Sequence, residues 1–520
     1  MISKIISSLT GKYISHPIFT TLISCLLLFT LIIYITAPTQ RFAINLPTLP
    51  ISPSAQKKRW KWNSDTMLLE ACRKFPDQVF QIWTSEGPEI IIPPAFLDEL
   101  RSLPDTYLSS IAGLAEMFQS RYTTIPIEEN HFGIHFTKTI LTKNIGKVLP
   151  GMIDELNFVL PQQFRIVPRL DTHLSACKIH IPSHIPHSTG FQHYSKDVFI
   201  ASSILKQFPT FLRGLIKNLI PQIWSIKRHN RNAANIVEEA LKDQIKSVPI
   251  SKGGIENSGE KNAEDIDEEP KDATHGIWEL LPQELKRDYD FQGRGQLGLA
   301  AAGIHTTSRL LTHVIYSLAQ YPEYAPILRQ EIEDVKRGSD TEWTVEMLGR
   351  LRKLDSFVKE CMRLWSGGVT SFRRKVLLPI TLSNGIVIPA GSYVSAALCG
   401  ISISPEIYPS PETFSPFRFY DLRQPLSTSS PIHPISTTAS NQHQLTTTSP
   451  QAPFFGLGRH ACPGRFFAAV EVKIVLVEML GRYEFRLKQG EERPGDVVFN
   501  SLRIVKPSGE VEVRSLKSTY

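Results

Sequence analysis

The sequence predicts a mainly α-helical fold with small β-sheets, preceded by one N-terminal transmembrane helix, and three observations support that class. From Ile18 to Ala37 the chain runs for twenty residues without a charge (IFTTLISCLLLFTLIIYITA). Downstream, long stretches place apolar residues at helical period. A strand signal is short, in the run ITLSNGIVIPAG, where Asn384-Gly385 is expected to supply the positive φ angles of a hairpin turn.

As a helix rising about 1.5 Å per residue, the uncharged run is about 30 Å long, the thickness of a bilayer's hydrocarbon core. A cleaved signal peptide would carry a shorter apolar core followed by a small-x-small site, and no convincing one follows. Lys4 and Lys12 precede the run; Arg41, Lys57, Lys58, Arg59 and Lys61 follow it, a bias that places the downstream body in the cytosol, among reduced thiols. Residues 1–40 are thus expected to be a single-pass membrane anchor with the lipid bilayer as partner, and 41–520 one catalytic body. Pro38, Pro47, Pro50 and Pro53 read as a stiff spacer between them.

The whole chain has ordinary globular composition, 42% apolar and 21% charged, so its bulk can bury a sizeable core. A net charge of +7 spread over 520 residues, with no interleaved basic and aromatic tract, argues against nucleic acid as a partner. The six cysteines form no CxxC pair and no zinc-like cluster, so they read as buried side chains rather than a disulfide framework. Two stretches, Ser251–Ala273 and Pro425–Pro450, are too polar to repay ordering by burial and read as mobile surface insertions. Helical patterns run from Asp288 to Gln320, stopping before Pro322, from Leu348 to Trp365, and onward from Pro463-Gly464 with Phe467, Val470, Ile474 and Val477 on one face.

The segment from Phe454 to Ala468, FFGLGRHACPGRFFA, concentrates the chemistry. A thiolate that approaches a flat macrocycle needs neighbours without Cβ, and Gly456, Gly458 and Gly464 provide them. Cys462 lies just ahead of a helix start, where free N–H groups favour an anion and are expected to lower the thiol pKa. Arg459 can reach a carboxylate with a charge-assisted hydrogen bond, and Phe455 can shield the sulfur from water.

Read from Phe455 to Gly464, the chain resembles the signature of the cytochrome P450 family, F-x-x-G-x-R-x-C-x-G, at Phe455, Gly458, Cys462 and Gly464, with His460 in the arginine's place and Arg459 one position ahead of it. Four fixed residues would recur by chance in roughly one chain of this length in three hundred, which, with the other parts below, leaves a lone cysteine on a glycine loop a poor rival. Other parts stand in the order the family has them. Glu360 and Arg363 in KECMR lie at i and i+3, and Phe417-Arg418-Phe419 resembles the segment that adds Arg418 to a buried ion network. Ala302-Gly303-Ile304-His305-Thr306-Thr307 is similar to the oxygen-activating stretch of the family's central helix, with Gly303 opening space and Thr306 bonding the carbonyl of Ala302. Where the family commonly has a carboxylate, this chain has His305, which leaves two readings: a proton-passing imidazole or a packing side chain. In Val369–Lys375, the resemblance assigns Arg374 to a haem propionate, with Arg373 as its substitute. It places Ala302, Thr306 and Val369 beside the substrate, and His135 and Lys138 are candidates for the second propionate.

The resemblance implies a haem-thiolate monooxygenase holding haem b (iron protoporphyrin IX) through Cys462 and inserting one oxygen from O2 into a lipophilic small molecule. Local features such as IHTTS, SRYT and FRRKV are similar to fungal enzymes that oxidise terpenoids and related secondary metabolites. No P-loop, dinucleotide fingerprint or flavin segment is found, so electrons are expected from a separate NADPH-cytochrome P450 reductase at the endoplasmic reticulum, docked on basic residues such as Arg459, Arg465 and Lys473. Two other classes share these residues: a reductase-independent haem-thiolate isomerase or dehydratase, and a non-catalytic haem or lipophile binder.

Overall fold

The computed structural model describes residues 45–127, 131–163, 175–177, 188–245, 273–339, 342–424 and 441–516. Within them the longer helices are α1 (Pro53–Lys74), α2 (Ile145–Gln163), α3 (Ser188–Leu205), α4 (Pro221–Ile245), α5 (Tyr289–Gln320), α6 (Tyr324–Lys336), α7 (Arg352–Leu364) and α8 (Arg465–Arg482). The strands are β1 (Phe80–Thr84), β2 (Gly87–Ile91), β3 (Leu108–Ser109), β4 (Ser175–Cys177), β5 (Ser371–Val376), β6 (Ile380–Thr381), β7 (Val387–Ile388), β8 (Tyr393–Ala396), β9 (Tyr483–Arg486), β10 (Asp496–Phe499), β11 (Leu502–Val505) and β12 (Val511–Ser515). The fold is mainly helical with small sheets, and Leu46–Tyr520 form one compact unit. The expected membrane helix, Ile18–Ala37, lies outside the described residues; among those described, no helix is long and apolar enough to cross a membrane.

The 32-residue α5 is the axis of the body. It starts because the Asp288 carboxylate accepts the Phe291 N–H at 2.9 Å, satisfying one of the orphan donors of the first turn. It stops at Gln320 because Tyr321 precedes Pro322 and cannot hold helical backbone. Near its start, a Cβ on Gly293 would lie 2.6 Å from the backbone nitrogen of Ala234 in α4, so only glycine allows these two helices to touch backbone to backbone. Near its end, Leu311, Val314, Ile315 and Leu318 are buried against α7 (Leu354, Phe357, Val358) and α8 (Val470, Ile474, Val477). Each such fully buried side chain stabilises the fold by about 1.5–3 kcal/mol.

The largest sheet has the order β1-β2-β8-β5-β3, antiparallel except for β2 beside β8. A second sheet is ordered β4-β12-β9, and β6-β7 and β10-β11 are separate hairpins. The spacer reading fails from Leu46 onward: Pro47 O accepts the Gln81 N–H at 2.8 Å, Leu49 is buried, and Pro53 is the first residue of α1.

Three further expectations are corrected. In the β6–β7 hairpin only Gly385 (φ +84) is left-handed, because the turn runs from Leu382 to Gly385 and the Asn384 side chain caps it by accepting the Ile386 N–H. The Leu348–Trp365 helix is two helices, Val345–Arg350 and α7, broken at Leu351. The new N-terminus is possible because the Glu331 carboxylate on α6 accepts the N–H groups of Lys353 (2.7 Å) and Leu354 (2.9 Å). Finally, the Pro425–Pro450 stretch is not mobile throughout. Its end is seated on buried Asp355, which accepts the Leu445 N–H at 2.8 Å, pairs with Lys473 at 2.6 Å, and also binds Arg423. The Ser251–Ala273 insertion lies outside the described residues except for Ala273, which begins a helix.

Candidate active site

The cysteine loop is shaped by two left-handed glycines, Gly456 (φ +74) and Gly458 (φ +69). They fold the chain so that Cys462 N–H donates to Phe455 O at 2.7 Å, closing the loop just before α8. Gly458 has a second reason to be glycine, since a Cβ there would sit 3.0 Å from Arg101. Burial pushes the Cys462 thiol up, while the N–H groups of Gly464 and Arg465 and the Arg465 guanidinium pull the other way. The expected lowering of the thiol is therefore not achieved by the helix start alone; burial outweighs it.

Several contacts fix the surroundings of this loop. Ser371 at the start of β5 donates to Pro453 O at 2.7 Å, so the Val369–Arg374 segment is tied to the front of the loop. Gly464 lies against Thr137, 3.7 Å from a Cβ to Cγ2, which brings up the turn that carries His135 and Lys138, both exposed. Thr307 of α5 hydrogen-bonds Glu471 of α8, nine residues past Cys462, and so the central helix is held over the same region.

On α5, Ala302, Gly303, His305 and Thr306 are exposed although Leu297 and Leu311 on either side are buried. A Cβ on Gly303 would meet no atom within 4 Å. The Thr306 hydroxyl donates to Ala302 O at 2.8 Å, with Gly303 O at 3.3 Å. This back-bonding uses the hydroxyl hydrogen and leaves the oxygen's lone pairs free on the exposed face of α5. His305 turns to α3, where its Nε2 is hydrogen-bonded to the hydroxyl of buried Ser195, and desolvation lowers its pKa.

Of the two neighbouring arginines, Arg373 is paired with Glu86 (2.7 Å) and Glu89 (3.5 Å) and lies on the Tyr393 ring. Arg374 is buried, makes no ion pair among the described residues, and donates only to the Arg373 carbonyl; burial lowers it to about 10. A desolvated guanidinium without a carboxylate is costly unless an anion completes it. The charge of Asp105 acts on both Arg374 and His460, and Asp105 bonds His460 at 2.6 Å, so Arg374 borders the cysteine loop. Arg459 is exposed and gives only its Nη2 to Ser102 O and Leu103 O. Exposed α5 positions, a cysteine on a glycine loop and a buried arginine without an ion pair among the described residues fit a flat, anionic, iron-bearing macrocycle.

Behind the site, Glu360 and Arg363 are fully buried, and Arg418 joins them at 3.2 Å. Arg363 also donates to the carbonyls of Ser402 (2.5 Å), Pro411 (2.6 Å) and Thr413 (3.2 Å). Val369 is buried and donates its N–H to Ser501 O at 2.9 Å. Lys473 is no docking residue: it is buried in its pair with Asp355. Arg465 folds back on its own helix start, donating to Cys462 O at 2.9 Å. The residues that sequence reasoning missed are Glu471, whose carboxyl burial raises to about 7, and Ser195; neither belongs to a short motif. A cleft of about 760 Å³ elsewhere, bounded by Cys72, Ile91, Ala397 and Gly400, shares no residue with the site.

The family model for cytochrome P450 matches residues 296–513. The chain is 30% identical over 490 residues to cytochrome P450 monooxygenase 110 of Postia placenta, covering 89% of this chain and 91% of that one. It is 28% identical over 465 residues to cytochrome P450 monooxygenase olcJ of Penicillium canescens, covering 86% and 82%. The crystal structure of the cytochrome P450DA heme domain superimposes with a TM-score of 0.62 at 14% identity, over 91% of this chain and 98% of that one. With a cysteine loop, a central helix exposed at Ala302–Thr306 and fungal relatives matched over most of their length, the chain belongs to the cytochrome P450 family, as one of its monooxygenases.

Proposed function

We propose that this chain binds haem b through the Cys462 thiolate and oxidises a lipophilic small molecule, a terpenoid or related fungal secondary metabolite, with electrons from a separate NADPH-dependent reductase. The observation that carries the reading is the convergence of three sequence-distant groups: the Cys462 loop, the exposed Ala302–Thr306 face of α5, and buried Arg374 without a carboxylate. The haem, when bound, supplies the redox centre at which dioxygen is split with two electrons and two protons, giving a hydroxylated product and water.

The chain's own groups hold, orient and exclude. Cys462 offers the sulfur, and the Gly456 and Gly458 turns keep side chains out of its approach. Arg374 and Arg459 bind the propionates by charge-assisted hydrogen bonds, and Phe455 screens the sulfur. Thr306 keeps a hydroxyl at the cleft, able to hold a water and its proton at Oγ1. Ala302 and Val369 border the substrate with apolar surface, while Glu360, Arg363 and Arg418 fix the backbone behind the loop. His305 acts by positioning, through Ser195 of α3. The uncharged Ile18–Ala37 run supports anchorage of residues 1–40 in the endoplasmic reticulum membrane, with the catalytic body in the cytosol.

The test is the carbon monoxide difference spectrum of the reduced, haem-loaded protein. It is expected to show the thiolate-ligated band, and Cys462→Ala to lose it; a band unchanged by that substitution would remove Cys462 as the ligand. Turnover should require NADPH, reductase and dioxygen together. Product formed without any of them would identify rearrangement chemistry instead.

A further inference from the structure

Arg309 stands three residues beyond Thr306 on α5 and spends its guanidinium on three different segments. Nε donates to Arg503 O at 2.9 Å, Nη1 to Trp365 O at 2.7 Å, and Nη2 to the Asp496 carboxylate at 2.5 Å. Arg503 and Asp496 belong to the β10–β11 hairpin, and Trp365 is the residue at which α7 ends. The hairpin is tied to the segment that follows α7, which the proposed function places beside the substrate: Arg503 N–H donates to Gly367 O at 3.0 Å, and Val369 N–H donates to Ser501 O at 2.9 Å.

The groups around the carboxylate leave Arg309 as its charged partner. His313, fully buried one turn further along α5, lies with Nε2 3.1 Å from Asp496, but its Nδ1 accepts from Arg493 at 2.8 Å, so the ring is neutral. Arg493 stacks on Trp365, 3.6 Å from ring centroid to Cζ. Arg309 itself is mostly buried, with Gly367 packed 3.8 Å from its Cδ, a distance measured from a Cβ built on that glycine. One planar fork thus ties α5, three residues beyond Thr306, to the end of α7 and to the hairpin that holds Val369; a lysine ammonium cannot satisfy three acceptors in that geometry.

We propose that Arg309, with Asp496, is a positioning residue for specificity: it fixes the gap between the α5 face and the Val369–Ser501 wall and so decides which large ligands the cleft accepts. The inference rests on the monooxygenase reading above, and its test separates the two. Haem-loaded full-length protein is titrated with imidazole, which senses the iron alone, and with clotrimazole, which also presses on the walls. For Arg309→Lys and Asp496→Asn the reduced carbon monoxide band and the imidazole Kd are expected to persist, while the clotrimazole Kd weakens about tenfold, some ~1.4 kcal/mol. Imidazole and clotrimazole affinities that move together, or that both stay put, would overturn the proposal. Failure of both variants to bind porphyrin would overturn it as well, because the network would then be a requirement of folding. An unaltered chain lacking the band would instead overturn the monooxygenase reading.

Discussion

Arg363 grips Glu360 with two parallel hydrogen bonds, Nε to Oε2 at 2.8 Å and Nη2 to Oε1 at 2.7 Å, and neither side chain has exposed surface. Removing the guanidinium would leave the carboxylate with Arg418 at 3.2 Å and the Ser415 N–H at 3.0 Å. Stranding a buried charge in this way costs about 3–5 kcal/mol, a large share of ordinary domain stability. Arg363→Ala is therefore expected to lower the urea midpoint sharply and to yield protein that retains little haem. Arg363→Lys, which keeps the charge but not the fork, should fall between the two.

Arg373 and Arg374, adjacent on β5, should fail differently. Arg373→Ala takes from Glu89 its cation and from Glu86 one of two, Lys206 remaining at 2.6 Å, so the denaturant midpoint drops. Arg374→Ala removes a buried charge that has no ion pair among the described residues and feels only the more distant charge of Asp105, so apo-protein stability should hold or rise while the haem-to-protein ratio falls. Both quantities can be read from one purification, and equal behaviour of the two variants would contradict the assignment of Arg374 to a propionate.

Thr306→Ala deletes the hydroxyl that bonds Ala302 O and leaves the helix backbone otherwise intact, at a stability change of about 1 kcal/mol. Product per NADPH consumed should fall and peroxide rise. Unaltered coupling would show that the hydroxyl holds no proton for the reaction.

Glu471 makes stability pH-dependent. Burial raises its folded pKa to about 7, so between the unfolded carboxyl value near ~4.3 and that point the folded chain holds a proton that the unfolded chain releases. Its contribution is complete below the lower value and is lost as pH climbs through the upper one. Thermal midpoints measured from pH 5 to pH 8 should fall less for Glu471→Gln than for the parent.

Motif residues whose identity is dictated by chemistry were legible in the sequence: Cys462 with its glycines, the Glu360–Arg363 spacing, and Thr306 at i+4 from Ala302. Helix limits set by local caps, as at Asp288 and Pro322, were legible too. What was not legible depends on partners distant in sequence. Leu348–Trp365 reads as one helix until Glu331 arrives from α6 to cap a second start. Lys473 reads as a surface cation until Asp355 claims it. The triple engagement of Arg309 needs the fold to bring Trp365, Asp496 and Arg503 to one place. Residues 1–40, where the anchor is expected, lie outside the described residues, and that part of the reading stays a proposal.

Asp355 binds Arg423 on one shore and the Leu445 amide on the other, so the chain leaves and re-enters the body at a single carboxylate. A change of length between those two points costs little, since doubling such an excursion adds only about 0.6 kcal/mol of closure entropy. Relatives could lengthen, shorten or rewrite that stretch freely, provided an acid is kept on α7 to staple its ends.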